Sequence, residues 1–151
     1  MNTQDALQKA ETLLQPIATG FTHPAANRLD AVVTAAQLPA AVGVLVGDHW
    51  GYLSAVTGLD QPPAAPKAGE PAAEGGVEAL YHFCEGDAIA TLRVRVPYAA
   101  ATIPSICHLI PSATLYEREL SEMLGVTVAG TPDTDHLLLP DEWPAGVYPL
   151  R

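Results

Sequence analysis

Four prolines in residues 131–151, Pro132, Pro140, Pro144 and Pro149, remove four amide donors and hold the backbone extended or turned. A stretch so interrupted cannot build regular structure of its own. It must gain stability by docking side chains, and Leu137, Leu138, Leu139, Trp143, Tyr148 and Leu150 are too apolar for free solvent. They have two destinations: the sheet of this same chain, or a larger neighbour on which aromatic side chains act as anchors.

Just upstream, residues 115–124 read as a short helix, with Ser112 or Thr114 as its cap and Gly125 as its stop. At about 100° per residue, Tyr116, Leu120, Met123 and Leu124 cluster on one side, Arg118 and Glu122 fall opposite, and Glu117 and Glu119 flank the apolar stripe. Three readings follow. Arg118 and Glu122 form a solvated i,i+4 pair of ~0.3–0.5 kcal/mol. Alternatively, the charged groups are buried against a partner that supplies charged or backbone groups to meet them. The third reading is a stand-alone acidic enzyme with Glu117 and Glu119 as acid and base. Residues two apart on a helix point about 200° apart, which opposes a shared substrate.

The formal charge of −10 repels nucleic-acid backbones and anionic headgroups, leaving proteins with basic patches as natural partners. No window approaches the ~20 apolar residues of a spanning helix, and the first residues lack a signal pattern, so a cytoplasmic location without membrane insertion is expected. Cys84 and Cys107 cannot supply four thiolates, and His23, His49, His82, His108 and His136 are scattered. Neither a metal nor a cofactor is expected in this chain. Gly43, Gly47 and Gly51 lack the spacing and the lysine of a phosphate loop.

Residues 5–17 carry the apolar stripe of one amphipathic helix, ended by Gly20 and Pro24. Residues 28–34 read as a strand, 35–45 as a helix with Pro39 in its first turn, and 50–57 as a second strand. Residues 60–76 read as a mobile loop. Residues 77–84 and 89–96 form a hairpin around Glu85-Gly86-Asp87-Ala88; Ala90, Leu92, Val94 and Val96 share one face, Arg93 and Arg95 the other. Pro104 opens a short helix to Ile110. The order is not a regular βαβ series, so the fold class expected is α+β: a two-layer domain over residues 1–130 with a small mixed sheet, followed by a Pro-rich docking tail over 131–151.

The order Glu117-Arg118-Glu119, Met123-Leu124-Gly125-Val126, Gly130, Pro132-Asp133, Leu137-Leu138-Leu139-Pro140, Trp143-Pro144, Gly146 and Pro149-Leu150-Arg151 resembles the signature of the 30 kDa (C-type) subunit of proton-pumping NADH:quinone oxidoreductase, respiratory complex I. Membrane-bound nickel-iron hydrogenases and formate hydrogenlyase carry relatives of it. Upstream, Leu80-Tyr81-His82-Phe83 resembles the family's central hairpin. The chain departs from the family at Thr131, usually His, and at Thr134-Asp135-His136, often a basic stretch. The resemblance implies a non-catalytic subunit peripheral to the membrane. It would brace the quinone-site (49 kDa-like) subunit and neighbouring iron-sulfur subunits, with quinone and clusters held by those partners. Glu117, Arg118, Glu119, Glu122, Asp133, Trp143, Tyr148 and Arg151 are the expected contacts. The alternative within the family is the matching hydrogenase or formate hydrogenlyase subunit.

Overall fold

Strand-forming residues dominate the middle of the chain, and they set the architecture. A computed structural model of the protein describes residues 2–65, 69 and 73–151. In chain order its elements are α1 (Thr3–Leu14), β1 (Gly20–Ala25), β2 (Arg28–Val32), α2 (Leu38–Gly47), β3 (Tyr52–Gln61), β4 (Gly76–Glu85), β5 (Ala88–Pro97), β6 (Thr102–Pro104), α3 (Ala113–Leu124) and β7 (Thr127–Ala129). The main sheet has five strands in the order β1-β2-β5-β4-β3. Only β2 and β5 run parallel within it, so the sheet is mixed; β6 and β7 form a second, parallel pair.

The β4–β5 hairpin turns through Gly86 and Asp87, with Glu85 opposite Ala88 and Gly86 at φ 56°, a conformation glycine adopts without strain. Alternation along the two strands then fixes the faces. Val77, Ala79, Tyr81 and Phe83 of β4 pair with Val96, Val94, Leu92 and Ala90 of β5, and all are buried. Leu29 and Ala31 of β2 continue the same face. Helix α1 packs over β2 and β5 and α3 over β3, joining one core with α2. Asn2 caps α1 by accepting from the Asp5 amide at 2.8 Å, and the buried Trp50 indole donates to the Ala6 carbonyl at 2.8 Å, fastening that helix to the start of β3. Gly58 lets α3 close on β3, because a Cβ there would overlap Leu124 and Leu120.

The opposite sheet face is polar. The Arg93 guanidinium donates to both Glu78 oxygens, at 2.8 and 2.9 Å, and to Asp30 at 3.1 Å, tying β5 to its two neighbours. The His82 ring nitrogens lie 3.2 Å from the Thr57 hydroxyl and 3.1 Å from that of Thr91. Burial first, then the Arg28 charge, hold the His82 pKa below 6.5, against the opposing pull of Asp30. A histidine with a lowered folded pKa binds its proton more weakly folded than unfolded, so stability present above about pH 6.5 falls as pH drops through the folded value. Urea midpoints measured from pH 7.5 to 5 should show this slope, and His82→Gln should flatten it. An unchanged slope in the variant would show that His82 is not its source.

Several sequence expectations shift. The first helix stops at Leu14 with a cap at Gln15, well before Gly20. The segment from Gly20 is itself a strand, β1, despite Pro24, which an edge position tolerates. Pro104 closes β6 instead of opening a helix; only a turn at Ile106 to Ile110 follows. The expected 60–76 loop is shorter at both ends, since β3 reaches Gln61 and β4 begins at Gly76; 66–68 and 70–72 within it lie outside the described residues.

Candidate partner-docking site

Helix α3 stands between the core and the C-terminal segment, and its charged residues divide between the two. Ser112 occupies the cap position but makes no side-chain capping bond; Gly125 ends the helix at φ 70°. Glu117, 1% exposed, turns inward rather than flanking the stripe. Its carboxylate accepts from the Ile106 amide at 2.8 Å, the Ser105 hydroxyl at 2.9 Å and the Cys107 thiol at 3.1 Å. Charge-assisted bonds of this kind replace solvation and pin the chain between β6 and α3. Burial pushes the Cys107 thiol up; the bond from Ser105 opposes this and Glu117 adds to it, so the sulfur stays protonated. The Tyr81 hydroxyl is buried without a partner among the described residues, and burial followed by the Glu117 charge drives its pKa far upward.

Arg118 and Glu122 do not pair with one another. Each is turned toward the backbone of residues 130–151, which form neither helix nor strand. Arg118 donates to the carbonyls of Asp135 (2.8 Å) and His136 (2.7 Å) and pairs with the Asp133 carboxylate at 3.2 Å. Glu122 accepts from the amides of Leu137, Leu138 and Leu139 at 3.0, 2.8 and 3.3 Å. One helical turn thus presents a cation to carbonyls and an anion to amides, gripping the segment by its main chain. Asp133 also accepts from the Asp135 amide at 2.9 Å.

The segment then returns along the end of α3. Trp143 donates to the Val147 carbonyl at 2.8 Å, and the Leu150 amide donates to Met123 at 3.0 Å. Tyr148 covers Gly125, and Arg151 stacks over the Tyr98 ring at 4.2 Å, with Tyr148 at 5.7 Å. A side chain at Gly125 would occupy the space of the Tyr148 ring and strain a left-handed backbone. Gly125→Ala should therefore lower stability by about 1–2 kcal/mol and speed hydrogen exchange near Tyr148. Unchanged exchange there would mean that Tyr148 does not depend on this contact.

Of the eight residues singled out from sequence, Arg118, Glu122 and Asp133 meet in one cradle; Arg151 lies over Tyr98 and near Tyr148; Trp143 closes its own turn. Glu117 is separate, in the core. Glu119 is exposed, with no ion pair or side-chain hydrogen bond among the described residues. The segment is held by α3 through its main chain, and its Leu150 reaches the cleft beside Val56, Thr57 and Gly58 of β3. Sequence reasoning missed Ser105, Cys107 and Tyr98, because nothing local marks them as partners of residues far along the chain.

The family model of the respiratory-chain NADH dehydrogenase 30 kDa subunit matches residues 31–151, which take in β3, β4 and β5 of the main sheet, α3 and the gripped segment. The chain belongs to this family. Formate hydrogenlyase subunit 5 of Escherichia coli is 31% identical over 129 residues, 83% of this chain and 21% of that protein. The NADH-quinone oxidoreductase C/D subunit of Gluconacetobacter diazotrophicus is 31% identical over 145 residues, 93% of this chain and 22% of that one. The chain therefore spans about a fifth of the length of these two relatives. In structure it is similar to a trypsin-resistant fragment of Nqo5, with a TM-score of 0.65 at 20% identity, covering 88% of this chain and 99% of the fragment. That likeness establishes the fold.

Proposed function

We propose that the chain is the 30 kDa-type subunit of a membrane-associated redox complex, non-catalytic and cytoplasmic, bracing the subunit that carries the quinone site. The observation that carries this reading is the orientation of residues 131–151. Their main-chain polar groups are satisfied inward by Arg118 and Glu122, while Leu138, Val147 and Leu150 are 62%, 49% and 58% exposed. A segment with its final form in water would reverse that arrangement; apolar groups presented on a fixed backbone suit a protein partner. The long relatives support it, since in them the matching region is joined covalently to a much larger remainder. No helix among the described residues is long and apolar enough to cross a membrane, which agrees with a peripheral position.

In this reading Trp143, Tyr148, Leu150 and Arg151 shape the docking segment, Glu119 contacts the partner directly, and Arg118, Glu122 and Asp133 set the segment's course. The clusters and quinone belong to the partners. The likeness to formate hydrogenlyase subunit 5 favours a second reading, the equivalent hydrogenase subunit. An acid–base pair of Glu117 and Glu119 is not favoured, because one is locked in the core and the other faces solvent. Affinity purification from native membranes in mild detergent tests the proposal. Co-purification of quinone-site and iron-sulfur subunits supports the first reading and a nickel-ligating subunit the second; recovery of a soluble monomer overturns both.

A further inference from the structure

The two edges of the main sheet differ. Strand β1 is short, contains Pro24 and has its register broken between Thr22 and Ala25, devices that discourage pairing with a further strand. Strand β3 runs for ten residues, Tyr52–Gln61, without lysine, arginine or proline, and among the described residues pairs only with β4. Its one irregularity lies between Leu53 and Ala55, where the Tyr116 hydroxyl donates to the Ser54 carbonyl at 2.9 Å. From Ala55 to Gln61, the backbone groups on the outer edge have no protein partner among the described residues. Beside this edge is a cleft of about 190 Å³ lined by Val56, Thr57, Gly58, Leu120, Met123 and Leu150, with Glu119 at its border.

We infer that β3 receives an extended, basic segment of a partner protein as a sixth strand of the sheet. Main-chain groups of the added strand would meet the free N–H and C=O groups of residues 55–61, as in strand-addition complexes generally. Alternate side chains would then fall on two surfaces: inward, into the apolar cleft against Leu120, Met123 and Leu150; outward, beside Thr57 and Leu59, the latter 38% exposed. Glu119 selects the charge. It lies exposed at the cleft without a cation among the described residues, on a chain of net charge −10, so an incoming lysine or arginine gains a partner and an acidic strand is repelled. The same charge argues against a second copy of this chain, whose β3 would bring its own Glu119 to the pair. This surface borders the gripped tail at Leu150 and does not depend on which redox complex the chain serves.

The test places a photocrosslinking p-benzoylphenylalanine at Thr57 in the full chain, expressed in its native host, with the same substitution at Thr22 on the other edge as a control. The crosslinked peptide is sequenced by mass spectrometry. The expected result is one adduct at position 57, absent at position 22, to a partner segment bearing lysine or arginine among alternating apolar residues. Adding Glu119→Lys should lower its yield about tenfold, the effect of reversing one partner of a charge pair, while the circular dichroism of the purified domain is unchanged. Adducts to a second copy, to residues 62–75 of the same chain, or to an acidic or helical segment would overturn the inference. So would equal yields with Glu119 and its lysine variant, or the absence of any adduct.

Discussion

Replacing Glu117 with alanine is expected to lower the free energy of unfolding by about 3–5 kcal/mol, a large share of what holds a domain of this size together. The reason is the asymmetry between making a buried hydrogen bond and leaving one unmade. Three donors, the Ile106 amide, the Ser105 hydroxyl and the Cys107 thiol, converge on a carboxylate that water does not reach. Without it, the amide cannot turn elsewhere, and the link between β6 and α3 loses its anchor. Glu117→Gln should fall between, since it keeps one acceptor oxygen toward Ile106 and offers an N–H that the Ser105 hydroxyl can accept. The neighbouring Tyr81 predicts the opposite sign. Its buried hydroxyl has no partner among the described residues, so Tyr81→Phe should be neutral or stabilising by up to ~1 kcal/mol. Urea unfolding of the four proteins gives the order directly. An alanine variant within ~1 kcal/mol of the parent would mean that water replaces the carboxylate, and the account of the cluster would fail.

What could be read in advance was what local periodicity encodes. The β4–β5 hairpin was legible because Ala90, Leu92, Val94 and Val96 alternate with Arg93 and Arg95, and the structure buries the first set while placing the second on the polar face. α2 was legible through Pro39 near its start. Strand β1 was not: Gly20–Ala25 shows no alternation, and its conformation comes from pairing with β2 across a tight connection. Pro104 looked like a helix opener because that is its local preference; the parallel pairing of Ile103 with Val128 overrides it. On α3, helical spacing correctly grouped Leu120 and Leu124 but set Glu117 at the margin. A carboxylate becomes a core residue only when backbone and side-chain donors from residues 105–107 arrive to meet it, and no spacing within the helix announces them. Likewise, the i,i+4 spacing of Arg118 and Glu122 suggested a mutual pair, whereas the main chain of residues 135–139 offers each a better-aligned set of partners.

Glu122→Ala is expected to free the C-terminal segment while leaving the domain folded. The carboxylate is the single acceptor for three consecutive amides, Leu137 to Leu139. Losing it should remove about 3 kcal/mol of docking free energy, roughly a hundredfold in the opening equilibrium of those residues. The core, by contrast, ends at Val128, and no residue beyond it is fully buried, so the main unfolding transition should move far less than in the Glu117 variant. Hydrogen exchange at residues 137–139 and thermolysin cleavage before Leu137 and Leu138 report the release. Arg118→Ala should act in the same direction, because its two carbonyl contacts and the Asp133 pair hold the preceding residues; Glu119→Ala should change neither readout. If α3 positions residues 131–151 for a larger partner, Glu122→Ala must lose that partner while the isolated domain keeps its near-parental melting curve. A variant that releases the segment yet assembles at parental affinity would show instead that the partner orders residues 131–151 for itself, and that the grip of α3 serves only the unbound chain.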